Sequence, residues 1–189
     1  MERLETKLTL KNVRLSYVNV YEPRAMQGSD EKKYSLVALI DKGDTETIEA
    51  IKQGVANAIR NKGLTGLTVQ RAMDNLVRDG EEKDMESYKG KFFMSVKSDK
   101  KPGLYKKSSE GLVDLNSDTT EEIYSGCYAM VSINLSAFNV SGNKGVGAYI
   151  RAVCKTDDGE RLSGGTVNAA DEFGLPLAKK AENDFSDML

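Results

Sequence analysis

Apolar and polar residues alternate along Lys7 to Val18 (KLTLKNVRLSYV), and the alternation changes phase once. Leu8 and Leu10 sit at even positions, while Val13, Leu15 and Tyr17 sit at odd ones. One extra residue near Lys11–Asn12 restores a single buried face, as a β-bulge does in a strongly bent strand, and places Tyr17 on the buried side. Residues 34–40 (YSLVALI) are a short, nearly continuous apolar run that reads as a strand covered on both faces. Ile48, Ile51, Val55, Ala58 and Ile59 then recur at helical spacing, with Asp44 or Thr45 available as a cap and Gly63 after the end. Residues 64–87 show no clean period and read as a long loop, whose stretch from Asp79 to Glu86 holds five acids and one Lys.

Three more strands follow. Lys91 to Lys97 sets Phe92, Met94 and Val96 against Lys91, Phe93, Ser95 and Lys97. Residues 127–138 place Cys127, Ala129, Val131, Ile133, Leu135 and Ala137 on one face. Val146 to Lys155 sets Val146, Ala148, Ile150, Ala152 and Cys154 against Gly147, Tyr149, Arg151, Val153 and Lys155. The glycine-containing link NVSGNKG (139–145) suits a hairpin turn between the last two. Five strands, one helix between the second and third, and long connections predict a mainly β, closed or nearly closed small barrel, with the bulged first strand bending between its halves. The expected organisation is one domain over residues 1–165, followed by a mobile acidic tail over 166–189.

Composition narrows the chemistry. The 189 residues include no His and two Cys, which argues against zinc fingers, His-based acid–base catalysis and a disulfide scaffold. Cys127 and Cys154 both lie in apolar runs and read as small buried hydrophobes in a reducing cytoplasm. The longest uninterrupted apolar runs are Leu36 to Ile40 and Cys127 to Val131, too short for a membrane-spanning helix, and no basic-plus-apolar leader is expected. The net charge of −2 conceals a division: residues 156–189 hold three Lys/Arg against eight Asp/Glu. Lys89 to Lys107, by contrast, carries seven Lys against the single acid Asp99.

That basic segment also contains Tyr88, Phe92, Phe93 and Tyr105. Unpaired nucleic acid asks a protein for cations along the phosphate path and flat rings against which bases stack. Phe93 shares its face with Lys91, Ser95 and Lys97, and Tyr149 repeats the arrangement beside Arg151 and Lys155. For one ring, covering the sheet's second face is the ordinary role. Two strands with the same pattern, followed by a Lys-rich loop from Ser98 to Ser109, turn the reading towards binding. The expected contacts are stacking by Phe93, Tyr149 and Tyr105, with phosphate neutralisation by Lys91, Lys97, Lys100, Lys101, Lys106, Lys107, Lys144 and Arg151. On this reading Phe93→Ala weakens binding and leaves the melting temperature nearly unchanged. No cofactor or metal is expected.

In the tail, Phe185, Met188 and Leu189 lie among Asp184, Asp187 and Glu182, an anionic peptide with apolar anchors suited to a basic groove, its own or a partner's. A frayed acidic end is the plain alternative. A metal-dependent nuclease built on Asp79, Glu81, Asp84 and Glu86 is the enzymatic alternative, and a structural or protein-interaction module is the third. The carboxylates of the first lie in an irregular polar stretch, whereas a catalytic metal wants rigid placement.

With these elements in order, the chain resembles a family of bacteriophage single-stranded DNA-binding proteins with an OB-fold, formerly a domain of unknown function. The stretches that carry the likeness are LTLKNVRLSYVNVYEP (8–23), KYSLVALIDK (33–42), YKGKFFMSVKSDKKPG (88–103), YSGCYAMVSINLSAF (124–138) and GVGAYIRAVCKTDDGERLSG (145–164). The resemblance implies an OB-fold protein that coats exposed single-stranded DNA during phage replication or recombination in the host cytoplasm and catalyses nothing. It further implies that the acidic end serves replication or recombination partners, although this chain ends Met-Leu where the commonest single-strand-binder tail ends in an aromatic.

Overall fold

The computed structural model describes residues 2–25 and 28–162. The expected tail, with Asp184, Phe185, Asp187, Met188 and Leu189, lies outside the described residues. In chain order the elements are β1 (Lys7–Ala25), β2 (Lys32–Asp41), α1 (Thr45–Lys62), α2 (Val69–Leu76), β3 (Arg78–Asp79), β4 (Lys91–Ser98), β5 (Gly103–Ser108), β6 (Gly111–Asp114), β7 (Tyr128–Val140) and β8 (Asn143–Asp157). Two 3₁₀ turns, Gly80–Glu82 and Glu86–Tyr88, separate β3 from β4.

β4, β2, β1, β7 and β8 are consecutive neighbours, and a parallel contact between β4 and β8 at Lys97 and Tyr149 closes the ring. The result is a closed five-stranded barrel with OB-like topology, as the alternation predicts. β1 belongs to both halves, pairing with β2 and with β7, and its pairing with β7 shifts register between Leu10 and Val13, where the sequence places the bulge. Leu10, Val13 and Leu15 are thereby all buried in the barrel interior. The β7–β8 hairpin turns through Ser141 and Gly142, both at positive φ, between the paired Val140 and Asn143. This two-residue turn suits the strand twist.

α1 begins where Asp44 accepts a hydrogen bond from the Thr47 backbone N–H (3.1 Å) and ends at Gly63. Ile51, Val55, Ala58 and Ile59 form its buried face and join the barrel core.

Four expectations need correction. Residues 64–87 are not one loop: α2 is capped by Thr68, whose hydroxyl accepts from the Arg71 N–H (3.2 Å), and buries Ala72, Met73 and Leu76. An eight-residue helix offers too few turns for its period to stand out beside polar neighbours. The Lys-rich Ser98–Ser109 stretch is mostly β5, which pairs in parallel with β8 and antiparallel with β6. In β8 the inward set changes phase at a register shift near Ala152, so Val153 and Lys155, not Ala152 and Cys154, turn inward. Finally, Tyr17 is exposed.

Buried Lys155 is held by carboxylates. Its Nζ lies 3.0 Å from Glu122 and 2.7 Å from Asp158, and Lys106 Nζ reaches the other Glu122 oxygen at 2.8 Å. Hydrogen bonds from Lys106 and then Lys155 hold the Glu122 carboxyl below its usual range. Glu122 therefore adds stability above the unfolded carboxylate range, about pH 4.3, and that share disappears as pH falls through its lower folded value. Glu122→Gln is expected to cost about 1 kcal/mol at pH 7, the upper end for a solvent-screened ion pair, because Lys106 and the more buried Lys155 lose their shared charge partner. The deficit should shrink towards pH 3 in thermal melts, and a pH-independent deficit would contradict the assignment.

Candidate functional site

The strand register brings the outward residues of three barrel strands into rows. Ser35 of β2 lies opposite Lys97 of β4, which pairs with Tyr149 of β8. The next row along sets Val37 opposite Ser95, and Leu39 opposite Phe93 follows. Ser35, Val37, Phe93, Ser95 and Lys97 of these rows line a groove of about 420 Å³ together with Tyr17, with Asn75 and Arg78 from α2 and β3, and with Gly147 of β8, over which the neighbouring Tyr149 ring lies. The floor is apolar at Val37 and Phe93 and polar at Ser35, Ser95 and Lys97. Such a surface offers apolar area for rings, hydroxyls for hydrogen bonds and a cation.

Tyr149 is half-buried, and its ring lies over Gly147: a Cβ on Gly147 would stand 3.2 Å from the ring's Cε2 and 3.1 Å from its hydroxyl. Tyr105 lies over Gly103 in the same manner, and Gly103 and Tyr105 pair with Ala152 and Cys154 of β8. In both places a glycine lets an aromatic ring lie along the sheet instead of standing off it. Each ring stays partly exposed.

Phe93 departs from expectation. It does occupy the outward face, but it is only 6% exposed and packs with Leu39 and Tyr88 in a small cluster outside the barrel. The Tyr88 ring meets it edge-on at 5.6 Å, and the Arg78 guanidinium and Lys83 ammonium stand over it at 5.3 and 5.4 Å. The 3₁₀ turns fold Met85 and Tyr88 back across β2 and β4, and the Tyr88 hydroxyl is fixed by a 3.1 Å hydrogen bond with Ser16. Burial raises the Tyr88 hydroxyl pKa, so it stays protonated for that bond. Phe93 is thus groove floor and packing, not an open platform.

The cations also divide. Lys97 faces the groove, and Lys100, Lys107 and Arg151 are exposed; among the described residues none of the four makes an ion pair. Lys91 is paired with Asp41 at 2.9 Å and Lys106 with Glu122 at 2.8 Å, so each has a carboxylate partner to leave before it can meet a phosphate. Lys106 alternates with Tyr105 and Lys107 and hence points to the other face of β5, which no residue count over the basic segment reveals. Lys101 donates to the Asn116 carbonyl (3.1 Å), and Lys144 to the Thr65 carbonyl (2.6 Å). Cys154 is half-buried beside Tyr105, and only Cys127 is the fully buried hydrophobe expected of both.

Sequence reasoning missed Tyr17, Asn75 and Arg78. For Tyr17 the signal was present. The apolar set returns from odd positions (Val13, Leu15) to even ones (Val18, Val20), so a second phase change has to fall between them, and it expels Tyr17. Three of the four acids proposed for a nuclease are occupied otherwise: Lys42 lies 2.7 Å from Asp79 and 3.7 Å from Glu81, which also accepts from the Gly90 N–H (2.8 Å), and Lys89 lies 2.7 Å from Glu86. Among the described residues no three Cys, Asp or Glu gather as a metal-ligating group.

The family model described as "Enterobacter phage Enc34, ssDNA-binding protein" matches residues 6–186. The chain belongs to that family. The chain is also 29% identical over 185 residues to protein p50 of Acyrthosiphon pisum secondary endosymbiont phage 1, covering 93% of this chain and 97% of that protein. Among solved structures, the single-stranded DNA-binding protein of bacteriophage Enc34 in complex with ssDNA superposes with a TM-score of 0.71 at 23% identity, covering 84% of this chain and 90% of that one. A second solved structure of the single-stranded DNA-binding protein from bacteriophage Enc34 gives a TM-score of 0.69 at 24% identity, covering 89% of this chain and 90% of that one. These likenesses support the barrel architecture; the chemistry of the groove rests on this chain's own residues.

Proposed function

We propose that this Enc34-family chain binds single-stranded DNA without strong sequence preference, and catalyses no reaction on it. The observation that carries the reading is the row Ser35–Lys97–Tyr149 across three barrel strands, which sets a ring lying on the sheet beside a cation with no ion pair among the described residues. Tyr149 stacks on a base, Tyr105 extends the aromatic surface along β5, and Phe93 supports the groove floor. Lys97, Lys100, Lys107 and Arg151 meet phosphates, while Lys101 and Lys144 have first to leave backbone carbonyls and Lys91 and Lys106 to leave carboxylates. Membership of the family supports a role in coating exposed strands during phage replication or recombination inside a host cell. The acidic segment 166–189, with its Phe185, Met188 and Leu189 anchors beside Asp184 and Asp187, is proposed as the docking peptide for replication or recombination proteins. Among the described residues no helix is long and apolar enough to cross a membrane.

The test is fluorescence anisotropy of labelled oligo-dT and of a duplex, titrated over a range of salt. Four phosphate contacts should give a log–log slope of about −3 for the single strand, at roughly −0.7 per contact. A labelled strand incubated with the protein and magnesium should remain intact. Absence of binding, or a slope near zero, would remove the reading, and metal-dependent cleavage would restore the nuclease.

A further inference from the structure

Tyr17 carries two features that the barrel does not require. Its ring is 52% exposed, and its backbone adopts φ +47° at the interruption of β1–β2 pairing between Ser16 and Asn19. Left-handed backbone is unfavourable for an aromatic L-residue, and such outliers persist where the side chain is wanted in place. The core does not want this ring, because Ser16 is buried on one side of it and Val18 and Val20 rejoin the interior on the other. The only hydrogen bond of its hydroxyl among the described residues is a weak 3.8 Å contact with the Met85 sulfur. Glycine or asparagine would form the same bulge with less strain.

The position of the ring gives the strain a use. Tyr17 walls the β2–β4–β8 groove, and it also walls a second concavity that holds Tyr124 and Arg161. There the Arg161 guanidinium lies 4.2 Å from the centre of the Tyr124 ring, with Lys155 Nζ 5.1 Å from it. Tyr124 is tied in place by hydrogen bonds between its hydroxyl and Asp158 (2.8 Å) and from the Gly159 N–H (3.1 Å). The concavity is also lined by Arg24 and by the carboxylates of Glu22 and Glu121, and Lys155 is buried against Glu122 and Asp158, so Arg24 and Arg161 are the cations it offers a strand. The two surfaces meet at one exposed ring.

We propose that Tyr17 is a base-stacking residue at which a bound single strand passes from the β4 groove into the Tyr124–Arg161 basin. The inference rests on single-strand binding as proposed above and adds to it a ring and a direction for the strand. Stacking needs only the ring face, so the hydroxyl is dispensable.

The test compares the full-length wild type with Tyr17→Gly, Tyr17→Asn and Tyr17→Phe, using oligo-dT carrying single 2-aminopurine substitutions. Tyr17→Gly and Tyr17→Asn should melt no lower than wild type yet bind about fivefold more weakly, a modest value for one partly exposed ring. Tyr17→Phe should bind within twofold of wild type. At one oligonucleotide position the fluorescence quenching seen with wild type and Tyr17→Phe should be lost with the other two. Wild-type affinity and unchanged quenching in both Gly and Asn variants would overturn the assignment and leave single-strand binding standing. A wild type that binds no oligonucleotide would overturn both.

Discussion

Phe93→Ala is expected to lower the stability of the protein by about 3 kcal/mol, at the lower end of the range for removing a buried phenylalanine. The ring has 6% of its surface exposed and is enclosed by Leu39, Tyr88 and Met85 with two cations above it. Its removal loses the transfer energy of the ring, the edge-on contact with Tyr88 and the attraction of Arg78 and Lys83 to its face. The lower end applies because the cluster is small and Met85, unbranched and only partly buried, can move into part of the space. Denaturant titration should show a lower midpoint with little change in slope, and Phe93→Leu should recover most of the loss. An unaltered midpoint for the alanine variant would mean that the 79–90 segment does not cover the ring. The leucine variant also isolates function: if it is stable and binds DNA as wild type does, Phe93 contributes shape to the groove floor and no stacking.

The same residue shows what the sequence could and could not convey. Alternation along β4 assigns Phe93 to the outward face correctly, because strand periodicity is a local property set by the pleat. Whether something lies on top of that face is a long-range fact. Here the cover comes from Met85 and Tyr88, in a stretch too short and too polar to show a period, fixed by the Tyr88–Ser16 hydrogen bond across 72 positions of chain. Bulges divide in the same way. The shift at Leu10–Val13 is legible because apolar residues flank it closely; the shift beside Tyr17 shows only in the return of Val18 and Val20 to even positions, because tyrosine is itself apolar enough to pass for core. In β8, Ala152 and Cys154 are small enough to suit either face, so the phase change that buries Val153 and Lys155 leaves no mark in hydropathy.

Charge was legible in amount and illegible in availability. Lys91, Lys97 and Lys106 look equivalent in a list, but Asp41 and Glu122 are brought to the first and last by β2 and by the segment before β7. The cation that remains in the groove is the one whose cross-strand neighbours, Ser35 and Tyr149, carry no charge. That is why the binding reading narrows from a basic segment to one row.

Tyr149→Ala should therefore be the most damaging single change to single-strand affinity: a loss of about tenfold or more, within the 1–3 kcal/mol that one stacked base contributes. The ring is supported from beneath by Gly147, and Lys97 and Asn134 are its neighbours on the adjoining strands, so a base set against it has a cation close by for the adjacent phosphate. Stability should change much less than for Phe93→Ala, because Tyr149 is half-buried on the outward face and Val146, Ala148 and Ile150 on the inward face keep the strand in the core. The salt dependence distinguishes the ring from its neighbour. Tyr149→Ala should shift affinity by a similar factor at every salt concentration, whereas Lys97→Ala should reduce the log–log slope by about 0.7. Tyr149→Phe should bind like wild type, since every base presents a π face to the ring and none needs the hydroxyl. If Tyr149→Ala instead binds normally while Lys97→Ala weakens binding, the strand follows the cation alone and the ring over Gly147 is only a cover for the sheet.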